Sequence, residues 1–306
     1  MINKIGVVGT GEIANQFVSQ LDKENYSVIS VYNHREVTLK AFVEKFGIKE
    51  YHTNYDEFLM NESMDCVYIA TPNQTHYDFV LKALNSGKHV LCEKVMVLEG
   101  QQAEELFNLA EQKGLVLIEA VTLFFMPMYQ QILTYLNNEK LGKLSGVNVT
   151  FGSCKEYDPE NRFFSPEKGG GALSDIGTYA LSAAVYLLGT DLKMIATDVE
   201  FSKSGVDEKS VTLLKNAEGL QASVMISFRG KMPKQIILAG DKGYLMINDF
   251  PRAEKATIFY NDGEKEIIEL GNGRDVFTYE MDLLNQYNKG NIKGCDVRQV
   301  TKQVIS

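Results

Sequence analysis

At 306 residues the chain is about twice the usual single-domain length, so two hydrophobic cores are expected. Acidic side chains number 40 against 31 basic, for a net charge of −9 with no concentrated basic stretch, which argues against nucleic acid or an anionic membrane surface as a partner. Cys66, Cys92, Cys154 and Cys295 are spaced for neither zinc nor a redox dithiol, and the chain enters a strand within a few residues of Met1, with no leader-like run and no later run suited to a bilayer. The expectation is a cytoplasmic protein with reduced thiols, no metal site and no membrane span.

Short apolar runs at 5–8, 28–32, 66–70, 90–92 and 115–118 alternate with stretches of helical period. The helices are carried by Ile13, Ala14, Phe17, Val18 and Leu21, then by Leu39, Phe42, Val43 and Phe46. Two more follow, on Phe79, Val80, Ala83 and Leu84, and on Ala103, Leu106, Phe107 and Ala110. Apolar strands alternating with helices predict a parallel sheet buried on both faces, forming a first domain over 1–120. Gly169-Gly170-Gly171 then opens a strong helix over 172–188. Beyond 190, Leu220, Ala222, Val224, Ile226 and Phe228 alternate with polar neighbours, and Asp241-Lys242-Gly243 and Asn261-Asp262-Gly263 supply hairpin turns. A mainly antiparallel open sheet is therefore predicted in a second domain over 121–306, giving an α/β chain overall.

The run Gly9-Thr10-Gly11-Glu12-Ile13-Ala14 has the spacing G-x-G-x-x-A between the first strand and the first helix. Gly9 permits a tight turn, Gly11 lets the backbone approach a pyrophosphate, and Ala14 lets helix and strand pack closely, with the helix N-terminus facing the phosphates. The second strand ends at Asn33-His34-Arg35, roughly twenty residues on, where NAD enzymes usually place a carboxylate for the ribose hydroxyl. The first carboxylate comes only at Glu36 while Arg35 and His34 are cationic or can become so, which favours NADP over NAD; alternatively Arg35 is a solvated residue at a helix start.

Three further clusters fall where strands end or helices begin. Thr71-Pro72-Asn73 with His76 follows one strand, Pro72 rigidifying the turn and Asn73 available to cap, and Glu93-Lys94 ends the next. Ligands of open α/β sheets lie beyond such strand ends. Asp175 and Tyr179 are four apart in the helix over 172–188 and share a face with Ile176, Ala180 and Ala183, as a satisfied structural pair or as a site.

Taken in order, the glycine run, Thr71-Pro72-Asn73 with His76, Glu93-Lys94, Glu119-Ala120 and the stretch from Gly169 through Asp175 to Tyr179 resemble the Gfo/Idh/MocA oxidoreductase family. Within it they are similar to the branch of dimeric dihydrodiol dehydrogenase and NADP-dependent sugar dehydrogenases. The resemblance implies a Rossmann domain followed by an α/β domain whose open sheet forms a homodimer or higher homo-oligomer. It implies that Lys94 lies near the nicotinamide and the reacting oxygen. Tyr179 takes a position that is His in inositol dehydrogenases and Tyr in the dihydrodiol and glucose-fructose branches, and Asp175 is the aspartate one turn earlier. Two departures stand out: the proline that follows the family's lysine is Val95 here, and Phe124 and Met126 replace polar residues after Glu119-Ala120, which points to a more apolar substrate wall or a changed substrate.

The chemistry so implied is hydride transfer between NADP, or NAD, and a carbinol or carbonyl carbon of a small sugar, polyol or dihydrodiol. A free tyrosine titrates near 10. Lys94 beside Tyr179 would lower that value and make the phenol an acid/base group, with Asp175 orienting substrate or lysine. Arg162 contacts substrate or cofactor, or forms a surface ion pair. The alternative is a dinucleotide-binding sensor that has lost turnover, a reading fed by Val95 and Phe124.

Overall fold

The computed structural model describes residues 1–292 and 295–305 and divides the chain into two compact units. The first begins with strands β1 (Lys4–Val8), β2 (Ser27–Tyr32), β3 (Glu50–His52), β4 (Cys66–Ile69), β5 (His89–Glu93) and β6 (Leu117–Ala120). All pair in parallel, in the order β3-β2-β1-β4-β5-β6. Helices α1 (Glu12–Gln20), α2 (Glu36–Phe46), α3 (Tyr55–Leu59), α4 (His76–Asn85) and α5 (Gly100–Gln112) connect them. β4 is buried at every position, as a strand covered on both faces must be, which is why its sequence is continuously apolar. Strand order reverses between β1 and β4, so the turns that follow these two strands flank the crevice where doubly wound sheets bind ligands.

Two elements of this unit lack an apolar signal. β3 is a three-residue edge strand, Glu50-Tyr51-His52, and α3 is one short turn begun by Asn54, whose side chain accepts from the amides of Asp56 and Glu57. The strand expected at 115–118 lies two residues later.

The second unit starts at Val121. After α6 (Pro127–Asn137) and β7 (Leu144–Gly152) come a π-helical turn at Leu173–Gly177 and α7 (Thr178–Leu188). The expected helix over 172–188 is thus two segments, the first closing i→i+5 bonds. The remaining strands are β8 (Lys193–Phe201), β9 (Asp207–Lys215), β10 (Gln221–Ser227), β11 (Gln235–Gly240), β12 (Gly243–Asn248), β13 (Lys255–Tyr260) and β14 (Lys265–Glu269). They form an eight-stranded sheet in the order β14-β13-β12-β11-β7-β10-β9-β8, antiparallel except for β7 beside β10. The β11–β12 and β13–β14 hairpins turn at Asp241-Lys242-Gly243 and Asn261-Asp262-Gly263 as expected, with Gly263 in the left-handed region. The stretch Pro166–Leu188 is long and apolar enough to cross a membrane by length and composition, contrary to expectation; here it is largely buried, and its α7 part packs on β7 and β10.

The second domain was expected to run unbroken from 121 to 306. Instead α8 (Val276–Asn288) packs with the first unit, while α9 (Val297–Ile305) belongs to the second in all but its last residue. The reason is a set of contacts with no local sequence signal. Phe277 meets Phe17 edge-on at 5.5 Å, and Asn285 brackets Ile2, accepting from its amide at 2.8 Å and donating to its carbonyl at 2.9 Å. Thr278 Oγ1 accepts the Asp22 amide at 3.0 Å. Phe277 is fully buried, so Phe277→Ala is expected to lower stability by about 3–5 kcal/mol, read as a fall in the chemical-denaturation midpoint. A change below about 1 kcal/mol would show that α8 is not part of this core.

Candidate cofactor and active-site residues

Gly9 has φ +102°, and a Cβ there would lie 2.4 Å from the Ala70 carbonyl oxygen, so only glycine fits between the first turn and the end of β4. Its amide donates to the Tyr32 carbonyl at 2.9 Å, tying the turn to β2 as well. Gly11 is different. It is exposed, and a Cβ there would meet nothing within 4 Å: the space in front of α1 is open to a ligand that approaches the backbone. Asn33 at the end of β2 donates through Nδ2 to the Thr10 hydroxyl, and its Oδ1 accepts the Arg35 amide at 3.0 Å. The sequence-predicted residues Thr10, Asn33, His34 and Arg35 are therefore brought together. His34 and Arg35 are exposed, with Arg35 Nε 3.2 Å from His34 Nε2. Glu36 is engaged by Lys40 at 2.8 Å, which holds its carboxyl below the usual range. Glu12 is exposed and Ile13 half-buried in the first turn of α1. A dinucleotide whose ribose carries a phosphate fits these residues: an open helix N-terminus, the Arg35 guanidinium beyond β2, and no carboxylate at 33–35.

Beyond β4, Thr75 Oγ1 donates to the Pro72 carbonyl at 2.7 Å and accepts from the Thr71 hydroxyl at 2.8 Å. Asn73 opens a short 3₁₀ turn and does not cap α4, which has no side-chain cap. His76 was expected to bind cofactor, yet its ring is fully buried, with Nδ1 2.8 Å from the Val95 carbonyl and Nε2 2.7 Å from the Thr71 carbonyl. Burial pulls the imidazole below its ordinary pKa, against the two carbonyls, which favour the protonated ring. Any contribution to a cofactor site is through the backbone it holds.

Beyond β5 the chain runs Glu93-Lys94-Val95-Met96, with a cis peptide between Lys94 and Val95. Lys94 is partly buried. Its neighbours are held from inside: Tyr68 donates to Glu93 Oε1 at 2.6 Å, His76 reaches the Val95 carbonyl, and Glu119 Oε1 accepts the Met96 amide at 2.8 Å. None of these bonds uses the side chain at position 95, so the absent proline ring does not free the segment. Tyr68 stacks on Phe17 of α1 with ring centres 3.8 Å apart; burial, then the Glu93 carboxylate, push its phenol far up.

In the second unit, Asp175 lies in the π-helical turn and Tyr179 in the first turn of α7, both partly buried beside the fully packed Ile176, Ala180 and Ala183. They stand at the edge of the apolar face rather than within it, because the wider turn shifts the winding ahead of α7. Arg162 forms the ion pair that was one of its two expected readings: Nη1 is 3.8 Å from Asp175 Oδ1. Lys155, which no sequence pattern singled out, is 3.8 Å from Asp175 Oδ2 and 3.6 Å above the Phe163 ring, while the Arg162 guanidinium lies 4.1 Å from the same ring. Tyr179 faces Phe151 at 6.3 Å.

Two glycines of the triplet are packing requirements. A Cβ at Gly170 would meet the Arg162 carbonyl at 2.7 Å, and one at Gly171 would meet Asp207 Oδ1 at 2.2 Å. Asp207, also missed in sequence, accepts the Leu173 amide at 2.6 Å and caps the π turn; burial raises its carboxyl pKa against that bond. Phe124 and Met126, expected to alter a substrate wall, are fully buried, Phe124 lying 5.5 Å from Tyr186. They are core residues, drawn in by the apolar run around them.

Residues 3–121 match the family described as an oxidoreductase family with an NAD-binding Rossmann fold, and residues 129–246 match the GFO/IDH/MocA C-terminal domain. The chain is 30% identical over 309 residues to trans-1,2-dihydrobenzene-1,2-diol dehydrogenase of Xenopus laevis, covering 100% of this chain and 92% of that one. It is 28% identical over 286 residues to scyllo-inositol 2-dehydrogenase (NADP(+)) IolU of Bacillus subtilis, covering 90% and 85%. Among solved structures, the 3-ketoreductase KijD10 of Actinomadura kijaniata, in complex with NADP and TDP-benzene, superposes with a TM-score of 0.87 at 25% identity, covering 100% and 95%.

The contrast between the two glycines is testable. Gly11→Val should leave thermal stability within about 1 kcal/mol of wild type while abolishing NADPH binding in a fluorescence titration. Gly9→Ala should lower stability itself. Wild-type NADPH affinity in Gly11→Val would show that no dinucleotide approaches α1.

Proposed function

The chain belongs to the Gfo/Idh/MocA family of oxidoreductases, and from that we propose that it is an NADP-dependent dehydrogenase or reductase. Its substrate is a small sugar, polyol or dihydrodiol-type molecule, with hydride exchanged between the nicotinamide and a carbinol or carbonyl carbon. The observation that carries the reading is Lys94 just beyond β5, in a segment whose backbone is held by His76 and Glu119 and whose Glu93 side chain is held by Tyr68, in the unit that also offers the open glycine turn.

When bound, the cofactor supplies the hydride chemistry. The chain's own residues supply position and protons. Gly9, Thr10, Gly11, Glu12 and Ile13 form the turn that takes the dinucleotide backbone, and Asn33, His34 and Arg35 take the ribose phosphate. Thr71, Pro72, Asn73 and Glu93 shape the nicotinamide side, His76 acting from within. Lys94 holds the reacting oxygen with its ammonium, Tyr179 is assigned the proton exchange, and Asp175, paired with Arg162, orients the substrate. A sensor without turnover gains no support from Val95 or Phe124, since the first leaves the lysine segment held and the second is core.

A screen of sugars, inositols and trans-diols should find turnover with NADP at a lower KM than with NAD. On the substrate so found, Lys94→Met and Tyr179→Phe should each lower kcat by about 100-fold or more, with NADPH binding retained. Wild-type turnover in both variants would remove the catalytic assignment.

The assembly is part of the same proposal. One face of the eight-stranded sheet carries Val211, Leu213, Met225, Tyr244 and Ile267, each at least 40% exposed, and Met225 lies directly across from Val211. A face with this many exposed apolar side chains, interspersed with polar ones such as Asn148 and Ser223, suits a second copy of the chain, paired about a two-fold axis. Light scattering should give twice the chain mass, and Val211→Lys with Met225→Lys should give the monomer with unchanged secondary structure. A monomeric wild type would refute this arrangement.

A further inference from the structure

His76 cannot touch a ligand directly: its ring has 0% exposure. What it does is join two pieces of backbone, one following β4 and the other following β5. A carbonyl oxygen only accepts, so each contact, 2.8 Å to Val95 and 2.7 Å to Thr71, calls for an N–H on the ring; a neutral imidazole carries one, and the tautomer with it on Nδ1 donates to the Val95 carbonyl. Val95 comes directly after Lys94. Glu119 holds the next amide, that of Met96, at 2.8 Å, and Tyr68 holds the preceding Glu93 side chain at 2.6 Å.

We propose that His76 is a positioning residue for Lys94: through the Val95 carbonyl it sets the direction in which the lysine leaves the strand end. The proposal rests on the assignment of Lys94 to the reacting oxygen. Of the three side chains that hold this segment, His76 also reaches the Thr71 turn, so the two loops are fixed to each other and to α4. A catalytic group displaced by about 1 Å loses about 100-fold in rate.

The two ring nitrogens are separable by substitution. In His76→Asn the amide nitrogen falls near the Nδ1 position and keeps the Val95 carbonyl, whereas in His76→Gln it falls near the Nε2 position and keeps the Thr71 carbonyl. On the substrate identified by the screen, His76→Gln should lower kcat about 100-fold and leave the NADPH Kd within about threefold. His76→Asn should keep kcat within about tenfold of wild type. In a Lys94→Met background, adding His76→Gln should change kcat by less than about twofold, since no lysine is left to position. Circular dichroism and thermal unfolding accompany every variant. Should the Gln variant not fold, His76→Ala with imidazole in the buffer replaces it, with kcat restored when Lys94 is present and not in Lys94→Met.

Equal losses in the Asn and Gln variants, or the same loss with and without Lys94, would overturn the proposal and make His76 a packing residue. No loss in His76→Gln, alongside inactive Lys94→Met, overturns this proposal alone. Wild-type turnover in Lys94→Met overturns the reading of Lys94, and this proposal with it.

Discussion

Backbone that leaves a parallel sheet into a dry interior must find partners for its amides and carbonyls, and the segment after β5 shows how much follows from that requirement. The Val95 carbonyl and the Met96 amide are answered by His76 and Glu119, both buried. A buried backbone group left unanswered costs about 1–3 kcal/mol, so the two side chains are tied to this segment by energy as well as by geometry. The motifs that stood apart in sequence, Thr71-Pro72-Asn73 with His76, Glu93-Lys94 and Glu119-Ala120, are three sides of one hydrogen-bonded arrangement. Lys94 is what that arrangement presents.

The glycines do comparable work by absence of a side chain. Gly9 lets the first turn press on the Ala70 carbonyl, so the glycine loop after β1 and the turn after β4 are fixed to each other. Tyr68 continues the coupling, with its ring on Phe17 of α1 and its hydroxyl on Glu93, and Phe277 of α8 supports Phe17 from a distant part of the chain. A Rossmann unit closed by a returning helix is the result, and the helix reaches the site through one aromatic stack.

Regular features of this fold were legible because each has a local cause. β4 is continuously apolar because both its faces are covered, and the Asn261-Asp262-Gly263 hairpin is readable because Gly263 takes a conformation glycine favours. Features set by tertiary partners were not. β3 is too short and polar to alternate, α8 has helical period but no mark of which core it joins, and the π turn ahead of α7 depends on a carboxylate from β9. The same limit applied to roles: the position of His76 in a ligand-side motif says nothing of whether its ring faces the ligand or the backbone, and Phe124 and Met126 read as a wall because burial cannot be assigned from a departure in sequence. Lys155 and Asp207 carried no spacing that would have marked them.

The surroundings of Asp175 show which forces shape the second unit's candidate site. Its two ion pairs are 3.8 Å long; that to Arg162, which is 65% exposed, is of the kind worth up to about 1 kcal/mol, while Lys155 is mostly buried. The loop that carries Arg162 is held by other means: Gly170 and Gly171 donate to the carbonyls of Ser165 and Phe163 at 3.0 Å each, while Asp207 takes the Leu173 amide at 2.6 Å. Any side chain at Gly170 or Gly171 would collide with the Arg162 and Phe163 carbonyls or with Asp207. Backbone packing therefore sets where Asp175 stands, and the two cations set the charge it meets there. Loss of Arg162 changes that charge and leaves the turn in place, whereas loss of Gly171 removes the turn on which Asp175 depends.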